Sequence, residues 1–254
     1  MANLVGNVLV TGGAKRIGRA IVEDLAAHGF GVAIHCGRSR READDLAATI
    51  TAGGGRAVVL QADLTDMAAV NRLVAEAQLA LGPISLLVNS ASAFDNDSIA
   101  DFDWETWDRH FALHVKAPAL LAKNFAAALP VGMEGLIVNI IDQRVLKPSP
   151  HFFSYSLSKA ALWAATKTMA QALAPRIRVN AIGPGPTLPS PRQDEAAFAA
   201  QLDGLLLKHG PALAEFGATI RYLWEARSVT GQMIAIDGGQ HLAWQTPDVT
   251  GMAE

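Results

Sequence analysis

The stretch LVTGGAKRIGRAI, residues 9–21, decides the fold, because in it an apolar run passes through a glycine-rich turn into a helical pattern. Gly12 and Gly18 allow the backbone to bend sharply and to approach a ligand closely. A turn of this kind, between a first strand and a first helix, binds phosphate groups at the helix N-terminus. Lys15 and Arg16 stand side by side in the turn, and paired cations at such a place indicate an anionic ligand.

Short apolar runs alternate with longer alanine-rich helical patterns along the rest of the chain. Several runs are apolar almost throughout, which is typical of parallel strands covered by helices on both faces. We therefore predict a single α/β domain over residues 1–254, with a doubly wound sheet of seven parallel strands. The predicted strands are NLVGNVLVT, GVAIHC, RAVVLQAD, ISLLVNSAS, GLIVNIID, IRVNAIG and GQMIAID, and the predicted helices cover 16–29, 40–52, 66–81, 103–129, 153–174 and 211–227.

Composition excludes several classes of protein. The net charge of −3 over 254 residues argues against a nucleic-acid surface, and a single cysteine, Cys36, excludes disulfides within the chain. The N-terminal residues lack the basic and apolar segments of a signal peptide, and no apolar run reaches the length of a membrane span. We expect a cytoplasmic protein without a metal site and without a nucleic-acid or membrane partner.

One irregular region interrupts the alternation. GPGPTLPSPRQ, residues 183–193, contains four prolines, which exclude regular structure, and a short helical pattern follows at 194–208. Long loops in a compact domain are usually binding loops. We therefore predict a substrate loop over about residues 183–210.

The end of the second predicted strand indicates which dinucleotide binds. NAD-binding proteins carry an acidic residue there for the ribose 2′-hydroxyl, whereas this strand ends HCGRSR, residues 35–40, without an acid. Arg38 and Ser39 suit a 2′-phosphate, and Lys15 adds positive charge from the neighbouring turn. The sequence therefore predicts NADPH as the cofactor. The alternative is that Arg38 and Arg40 only begin a solvated helix.

Two further strand ends carry polar residues that fit a cofactor cleft. Asp63 follows the third strand, where it could accept a hydrogen bond from an adenine amine. Its alternative role, capping the next helix, belongs more naturally to Thr65 or Asp66. Asn89 ends the fourth strand, where its side chain either binds backbone or lines the cleft.

The predicted helix 153–174 carries the candidate chemistry. Tyr155 and Lys159 are four residues apart, so they lie on one helix face. An ammonium beside a phenol favours the phenolate, and we expect it to lower the pKa of Tyr155 toward neutrality. Tyr155 would then exchange protons with a substrate.

Together with the glycine-rich turn, Asn89 and the proline-rich loop, this pair makes the whole chain resemble the short-chain dehydrogenases/reductases. The resemblance implies a Rossmann-type fold, a Tyr-x-x-x-Lys active site and a homotetramer. Three positions depart from the usual pattern: Arg16 replaces the middle glycine of the turn, Ser92 ends NSAS where NNAG is usual, and Asp142 replaces the usual serine thirteen residues before the tyrosine.

These departures occur together in the pteridine reductases and in the related bacterial dihydromonapterin/dihydrofolate reductases, which the chain therefore resembles. The resemblance implies NADPH-dependent reduction of a dihydropterin, such as dihydromonapterin, dihydrobiopterin or dihydrofolate. Arg16 would bind pterin and cofactor phosphate, Phe94 would stack on the pterin ring, and Asp142, partly protonated, would support Tyr155 in proton delivery. Ser92 would contact cofactor and substrate, and Thr187 the nicotinamide amide.

The site residues implied in this way form three sets. The catalytic set is Asp142, Tyr155 and Lys159, and the substrate set is Arg16, Ser92, Phe94, Asp142 and Tyr155. The cofactor set is Gly12, Lys15, Arg16, Ile17, Gly18, Arg38, Ser39, Asp63, Leu64, Asn89, Ala91, Ser92, Tyr155, Lys159, Pro184, Gly185 and Thr187.

Several alternatives stay open from the sequence. Asp142 could be a structural N-cap or a surface acid, Phe94 could pack a loop against the core, and Arg16 could bind only pyrophosphate. His114 stands where the resemblance would place an asparagine of the proton relay. The alternative activities are an NADPH-dependent carbonyl reductase, acting on a 3-oxoacyl thioester or a small ketone, and a non-catalytic NADPH-binding regulatory protein.

Overall fold

A computed structural model describes residues 5–189 and 193–245. Within them, seven parallel strands form one sheet in the order β3-β2-β1-β4-β5-β6-β7. The strands are β1 (Gly6–Thr11), β2 (Phe30–Cys36), β3 (Ala57–Gln61), β4 (Leu86–Asn89), β5 (Gly135–Ile140), β6 (Ile177–Pro184) and β7 (Met233–Ile236). The helices are α1 (Arg16–Ala27), α2 (Arg40–Ala52), α3 (Met67–Leu81), α4 (Trp104–Phe111), α5 (Ala117–Ala128), α6 (Phe153–Leu173), α7 (Glu195–Asp203) and α8 (Leu213–Glu225).

The predicted fold class is confirmed, and the differences are local. The helix predicted at 103–129 is divided into α4 and α5 by a π-helical turn, Ala112–Lys116. Short 3-10 turns cover Gln143–Val145 and Gln240–Leu242. The helix predicted at 194–208 ends earlier, at Asp203, and residues 190–192 of the predicted substrate loop lie outside the described residues.

Two apolar layers hold the sheet between helices. Alternate side chains of a strand point to opposite faces, so Val8 and Val10 pack in the layer under α1, α2 and α8, whereas Leu9 packs in the layer under α3, α5 and α6. All three side chains are fully buried. This two-sided burial is why the strands are apolar on both faces.

The strand order reverses beside β1, and ligands bind at such a reversal in open α/β sheets. β1 pairs with both β2 and β4, so the helices that follow β1 and β4 leave in opposite directions. The register places Thr11 beside Asn89 and Asn89 beside Asn139. The carboxyl ends of β1, β4 and β5 therefore present a row of polar side chains to the crevice.

The described residues contain neither a membrane-spanning helix nor a cluster of metal ligands. No helix among them is long and apolar enough to cross a membrane. Nor do they bring together three or more His, Cys, Asp or Glu side chains that could hold a metal ion.

A buried histidine ties the glycine-rich turn to the sheet. His35 Nδ1 accepts a hydrogen bond from Gly12 N at 3.2 Å, and Nε2 lies 3.1 Å from Ala62 O. Because Gly12 N can only donate and Ala62 O can only accept, the imidazole is neutral with its proton on Nε2. Burial is the main cause that lowers the pKa of His35 from 6.5 to about 4. His35 thereby links β1, β2 and the end of β3.

We predict that His35→Gln flattens the pH dependence of stability. The pKa of His35 is lower in the folded protein than in the unfolded chain, 6.5 against about 4, so the unfolded chain binds this proton first as the pH falls. Stability is therefore lost between these two pH values, by about 3 kcal/mol in total. Between pH 7.0 and 4.0, the free energy of unfolding by urea should fall by roughly 3 kcal/mol less in His35→Gln than in the wild type. His28→Gln, at an exposed position, is the control, and an equal loss in wild type and His35→Gln would contradict the prediction.

Candidate active site

The glycine-rich turn packs against the end of β4. Gly12 has a φ of +64°, and a Cβ there would lie 2.8 Å from the Cα of Ala91. At Gly18, a Cβ would collide with the carbonyl oxygen of Gly12. Thr11 Oγ1 accepts from the N–H groups of Ser90 and Ala91 at 3.0 and 3.1 Å. The close approach leaves no room for side chains and sets the N-terminus of α1 at the crevice.

The two cations of the turn point to different partners. Lys15 Nζ pairs with Glu42 of α2 at 2.5 Å, on the side of the turn that faces the end of β2. Arg16 has a φ of +52°, uncommon for a residue other than glycine, and donates to the carbonyl oxygens of Leu188 and Pro189 at 3.2 and 3.1 Å. Arg16 thus connects the turn to the predicted substrate loop.

The residues predicted to read the 2′-phosphate lie in the open. Arg38 is exposed, and Ser39 is half-buried at the start of α2. Arg40, the first residue of α2, pairs with Asp44 at 2.9 Å. Arg40 therefore belongs to a solvated helix start, which was the alternative interpretation. Arg38 lies before the helix and remains a candidate for the phosphate.

The third strand end divides the roles that the sequence left open. Asp66 caps α3 by accepting from Ala68 N. Asp63 is exposed and accepts from the backbone N–H and hydroxyl of Thr65, and these hydrogen bonds are the main causes that lower its pKa. Leu64 is buried beneath them. Asp63 is therefore not the helix cap.

A buried amide chain runs from β4 to α6. Asn89 Nδ2 donates to Asn139 Oδ1 at 2.8 Å, and Asn139 Nδ2 donates to Thr166 Oγ1 at 2.9 Å. Asn89 Oδ1 is buried and has no hydrogen-bond partner in the part of the chain that the structure describes. An unsatisfied buried acceptor is costly, and a donor on a bound ligand would relieve that cost.

The three predicted catalytic residues are brought together. Tyr155 Oη donates to Asp142 Oδ2 at 2.8 Å, and Lys159 Nζ lies 5.6 Å from the centre of the Tyr155 ring. Lys159 donates instead to Ile140 O at 2.9 Å, at the end of β5. Tyr155, Asp142 and Lys159 are all buried.

The predicted fall in the pKa of Tyr155 is wrong for this arrangement. Burial and the negative charge of Asp142, which also accepts its hydrogen bond, raise the pKa of Tyr155 well above its ordinary value. Arg144 and a hydrogen bond from Ser92 oppose them only in part. The four-residue spacing placed Lys159 near the ring, yet its ammonium is turned to a backbone carbonyl. Tyr155 consequently keeps its proton in this arrangement and is the donor in its hydrogen bond to Asp142.

Asp142 combines the structural and chemical roles that were alternatives in the sequence. Its carboxylate caps the 3-10 turn by accepting from Arg144 N at 2.8 Å, while the Arg144 guanidinium lies 3.2 Å from Oδ2. Asp142 is the acceptor in all of these hydrogen bonds and in the one from Tyr155. Sequence reasoning missed Arg144, and its only signal was an arginine two residues after the aspartate.

Phe94 lies at the site and not in the core. Its ring stacks on Phe152 with centres 4.1 Å apart and planes at 8°, and it meets Tyr155 edge-on at 4.8 Å. The Arg144 guanidinium carbon is 5.3 and 5.1 Å from the two ring centres, so it lies at the side of the stacked pair. Phe152 has a φ of +58° and was not given a role from the sequence.

The remaining predicted cofactor residues are placed by the loop after β6. Pro184 ends that strand, and a Cβ on Gly185 would lie 2.6 Å from the Cα of Asp237, so the loop starts against β7. Thr187 Oγ1 donates to Gly185 O at 3.0 Å. Ile17, half-buried in the first turn of α1, completes the set.

A π-helical turn carries a residue whose role the sequence left undecided. His114 is buried in this turn, with Nε2 2.9 Å from Ser92 Oγ and Nδ1 2.7 Å from Ser158 Oγ. Burial is the main cause that lowers the pKa of His114 well below its ordinary value, and Lys159 and His110 act in the same direction. π-Helical turns inside α-helices are frequent at functional sites.

Comparisons with known proteins agree with this geometry. Residues 6–198 match the family model of the short chain dehydrogenases. A crystal structure of FolM alternative dihydrofolate reductase 1 from Brucella canis, complexed with NADP, shares 60% sequence identity and a TM-score of 0.94, covering 98% of each chain. The equivalent NADP complex from Brucella suis also shares 60% identity and a TM-score of 0.94, over 98% of this chain and 99% of that one. Among curated proteins, a short-chain type dehydrogenase/reductase from Picea abies is 30% identical over 91% of both chains. A 3-oxoacyl-[acyl-carrier-protein] reductase from Synechocystis is 30% identical over 91% of this chain and 95% of its own length.

We predict that Lys159→Met separates stability from activity. Burial lowers the pKa of Lys159 from 10.5 to about 8, so holding the ammonium at pH 7 costs the fold about 3 kcal/mol. Losing the hydrogen bond to Ile140 O costs about 1–2 kcal/mol in return. At pH 7, the free energy of unfolding by urea should therefore rise by about 1–2 kcal/mol, while turnover falls by roughly 100-fold or more. The exposed Lys167→Met on the same helix is the control. A clear loss of stability in Lys159→Met would contradict the prediction.

Proposed function

The chain belongs to the short-chain dehydrogenase family, and we propose that within this family it is an NADPH-dependent reductase of a dihydropterin such as dihydromonapterin, dihydrobiopterin or dihydrofolate. The observation that carries this proposal is the carboxylate of Asp142 on the Tyr155 hydroxyl at 2.8 Å, where the family's usual pattern has a serine. The similarity to two NADP complexes of alternative dihydrofolate reductases supports it.

The residues of the crevice fit NADPH. Gly12 and Gly18, where a Cβ would not fit, keep the turn before α1 tight, as the close approach of a pyrophosphate to the backbone requires. Asn89 supplies a buried acceptor without a partner in the described residues. At the end of β2, exposed Arg38 and the absence of an acid among residues 35–40 favour a 2′-phosphate over a free hydroxyl.

The side chains of the site divide the work of reducing a C=N bond in a flat, nitrogen-rich ring. Bound NADPH supplies the hydride that a ring carbon receives. Tyr155, which holds its proton because its pKa is raised, delivers that proton to the adjacent ring nitrogen. Phe94 would stack on the substrate ring, and Arg16 would bind the ring and the cofactor phosphate, which would give the orientation that lowers the barrier.

Asp142 prepares Tyr155 for the next cycle. Its carboxylate lies in direct contact with the Tyr155 oxygen, and two negative charges there would repel each other after the proton has left. A proton that Asp142 takes from solvent removes that repulsion and can pass to Tyr155, which replaces the proton given to the substrate. A serine in the same place polarises a carbonyl oxygen but cannot carry that proton.

Carbonyl reduction is the second candidate activity. The 30% identity to a 3-oxoacyl-[acyl-carrier-protein] reductase favours it, whereas Asp142 and the position of Phe94 favour the pterin. A regulatory protein without turnover would leave the contact of Tyr155 with Asp142 unexplained.

We also propose that the enzyme is a cytoplasmic homotetramer. Trp104 of α4 and Leu157 of α6 are 67% and 39% exposed, and exposed large apolar side chains of this kind are suited to a contact between subunits. Light scattering coupled to size exclusion checks the mass of the assembly.

The first prediction of the proposed function concerns the substrate. NADPH oxidation should be fast with dihydrobiopterin, dihydromonapterin or dihydrofolate and slow with a 3-oxoacyl thioester and a simple diketone. Asp142→Ser should lower kcat for the dihydropterin by about 10²–10³-fold, since proton transfer contributes that order of magnitude. Turnover of carbonyl compounds alone would overturn the proposal in favour of the second candidate.

The second prediction concerns the cofactor. Arg38→Ala should raise the KM for NADPH by about tenfold or more, because a charge-assisted contact to the 2′-phosphate is lost. The KM for NADH should stay within about twofold, since NADH lacks that phosphate. Arg40→Ala, which breaks a helix-surface pair with Asp44, is the matched control. Equal effects of Arg38→Ala on both cofactors would show that Arg38 does not read the phosphate.

A further inference from the structure

Two buried histidines face two serines across the helices that carry the site. His110 Nδ1 lies 2.8 Å from Ser154 Oγ, and His114 Nδ1 lies 2.7 Å from Ser158 Oγ. The two histidines are four residues apart, and so are the two serines. The imidazoles therefore stack one turn above the other, with centres 5.6 Å apart and planes at 14°. The serines flank Tyr155 on α6. The reaction described above uses neither imidazole.

The contacts of His114 fix its tautomer. Ser158 Oγ donates its single hydrogen to Tyr155 O at 2.7 Å, so it can only accept from His114 Nδ1. Nδ1 therefore carries the proton, and Nε2 offers a lone pair. Ala93 N, which can only donate, lies 3.3 Å from that Nε2 and agrees with the assignment. The imidazole is neutral and presents an acceptor to the end of β4.

The lone pair on His114 Nε2 accepts a hydrogen bond from the hydroxyl of Ser92. Ser92 Oγ lies 2.9 Å from His114 Nε2, and the imidazole ring meets the Tyr155 ring edge-on at 5.4 Å. A hydrogen bond from Ser92 to the Tyr155 oxygen lowers the pKa of that tyrosine. The single hydrogen of Ser92 therefore has three competing acceptors: His114 Nε2, the backbone oxygen of Ala93 at 3.2 Å and the phenol oxygen.

We propose that Ser92 and His114 form a pair that stabilises the Tyr155 oxygen after it has given up its proton, with Ser92 as the hydrogen-bond donor and His114 as its positioning residue. While Tyr155 is protonated, its hydroxyl donates to Asp142 and the Ser92 hydroxyl donates to His114 Nε2. When the proton has passed to the substrate nitrogen and the hydride to the adjacent carbon, the phenolate is the stronger acceptor. The Ser92 hydroxyl then turns to it, and Ala93 N keeps Nε2 satisfied.

The charged surroundings explain why such a donor is needed. Around Tyr155, Lys159 on α6 donates to Ile140 O and not to the phenol, while Asp142 brings a negative charge at 2.8 Å. Arg144 is bound to Asp142, and its charge offsets only part of the rise in the pKa of Tyr155. Because His114 is buried and neutral, it directs a hydrogen without adding a charge of its own. The proposal rests on the reduction proposed above, in which Tyr155 is the acid.

The test compares Ser92→Ala, His114→Phe, the double variant and His110→Gln. Ser92 is exposed, so Ser92→Ala keeps the fold even if His114→Phe, at a buried position, does not. His110→Gln is the matched control, since His110 makes the same kind of serine contact but its Nε2 faces Asp95. One readout is the midpoint pH at which the ¹³Cζ signal of Tyr155 titrates in the NADP⁺ complex, because Ser92 donates to the phenolate and not to the protonated phenol. The chain has two tyrosines, so a Tyr222→Phe background leaves a single signal.

We expect Ser92→Ala and His114→Phe to move the midpoint of the Tyr155 signal to higher pH, and His110→Gln to leave it in place. We expect each of the two to lower kcat for a dihydropterin by about 10- to 100-fold, as the loss of a hydrogen bond to a charged group does. KM should stay nearly unchanged in His114→Phe, whereas Ser92→Ala also removes a predicted substrate contact. The solvent deuterium isotope effect on kcat should rise, and the double variant should be no slower than the worse single one.

An unmoved midpoint of the Tyr155 signal in Ser92→Ala, or losses in kcat that multiply in the double variant, would overturn the proposal. The midpoint is measured without a pterin, so it is independent of the substrate assignment. If the wild-type protein reduces no dihydropterin, the proposed function fails, while the signal still decides whether Ser92 and His114 act on the tyrosine oxygen.

Discussion

The hydrogen bond between Tyr155 and Asp142 is the contact on which the rest of the site depends, because it joins the end of β5 to α6 inside the protein. Buried charges are tolerated only when other groups compensate them. Arg144 compensates Asp142, and the carbonyl of Ile140 receives the ammonium of Lys159. The sheet supplies the rigidity for this arrangement: its strands are buried on both faces and end in register at the crevice.

The sequence predicted the fold well, because the signals that determine it are local and repeated. Apolar runs such as LIV in β5 are stable when buried between two helical layers, and the glycine contacts at Gly12 and Gly18 demand a tight turn before α1. The π-helical turn was not predicted. Its His114 contacts Ser158 and Ser92, and contacts of this kind join elements far apart in the chain.

The sequence placed Asp142, Tyr155 and Lys159 close together but did not predict the electrostatics of the site. Helix spacing correctly placed Lys159 near Tyr155, yet the sign of the pKa shift came from Asp142, thirteen residues away, and from burial. Arg144 and Phe152 were missed for a related reason. An arginine in a polar loop and a phenylalanine before a helix become site residues only when the 3-10 turn and the +58° φ bring them beside Phe94.

The contact of Arg16 with the loop after β6 has a consequence for how the two ligands bind. One guanidinium belongs to the glycine-rich turn and donates to the carbonyl oxygens of Leu188 and Pro189. Any ligand of the turn that draws this guanidinium away weakens its hold on the loop, and by linkage the state of the loop changes the affinity for that ligand by the same factor. A single side chain therefore couples the turn and the loop energetically, without any movement of the sheet between them.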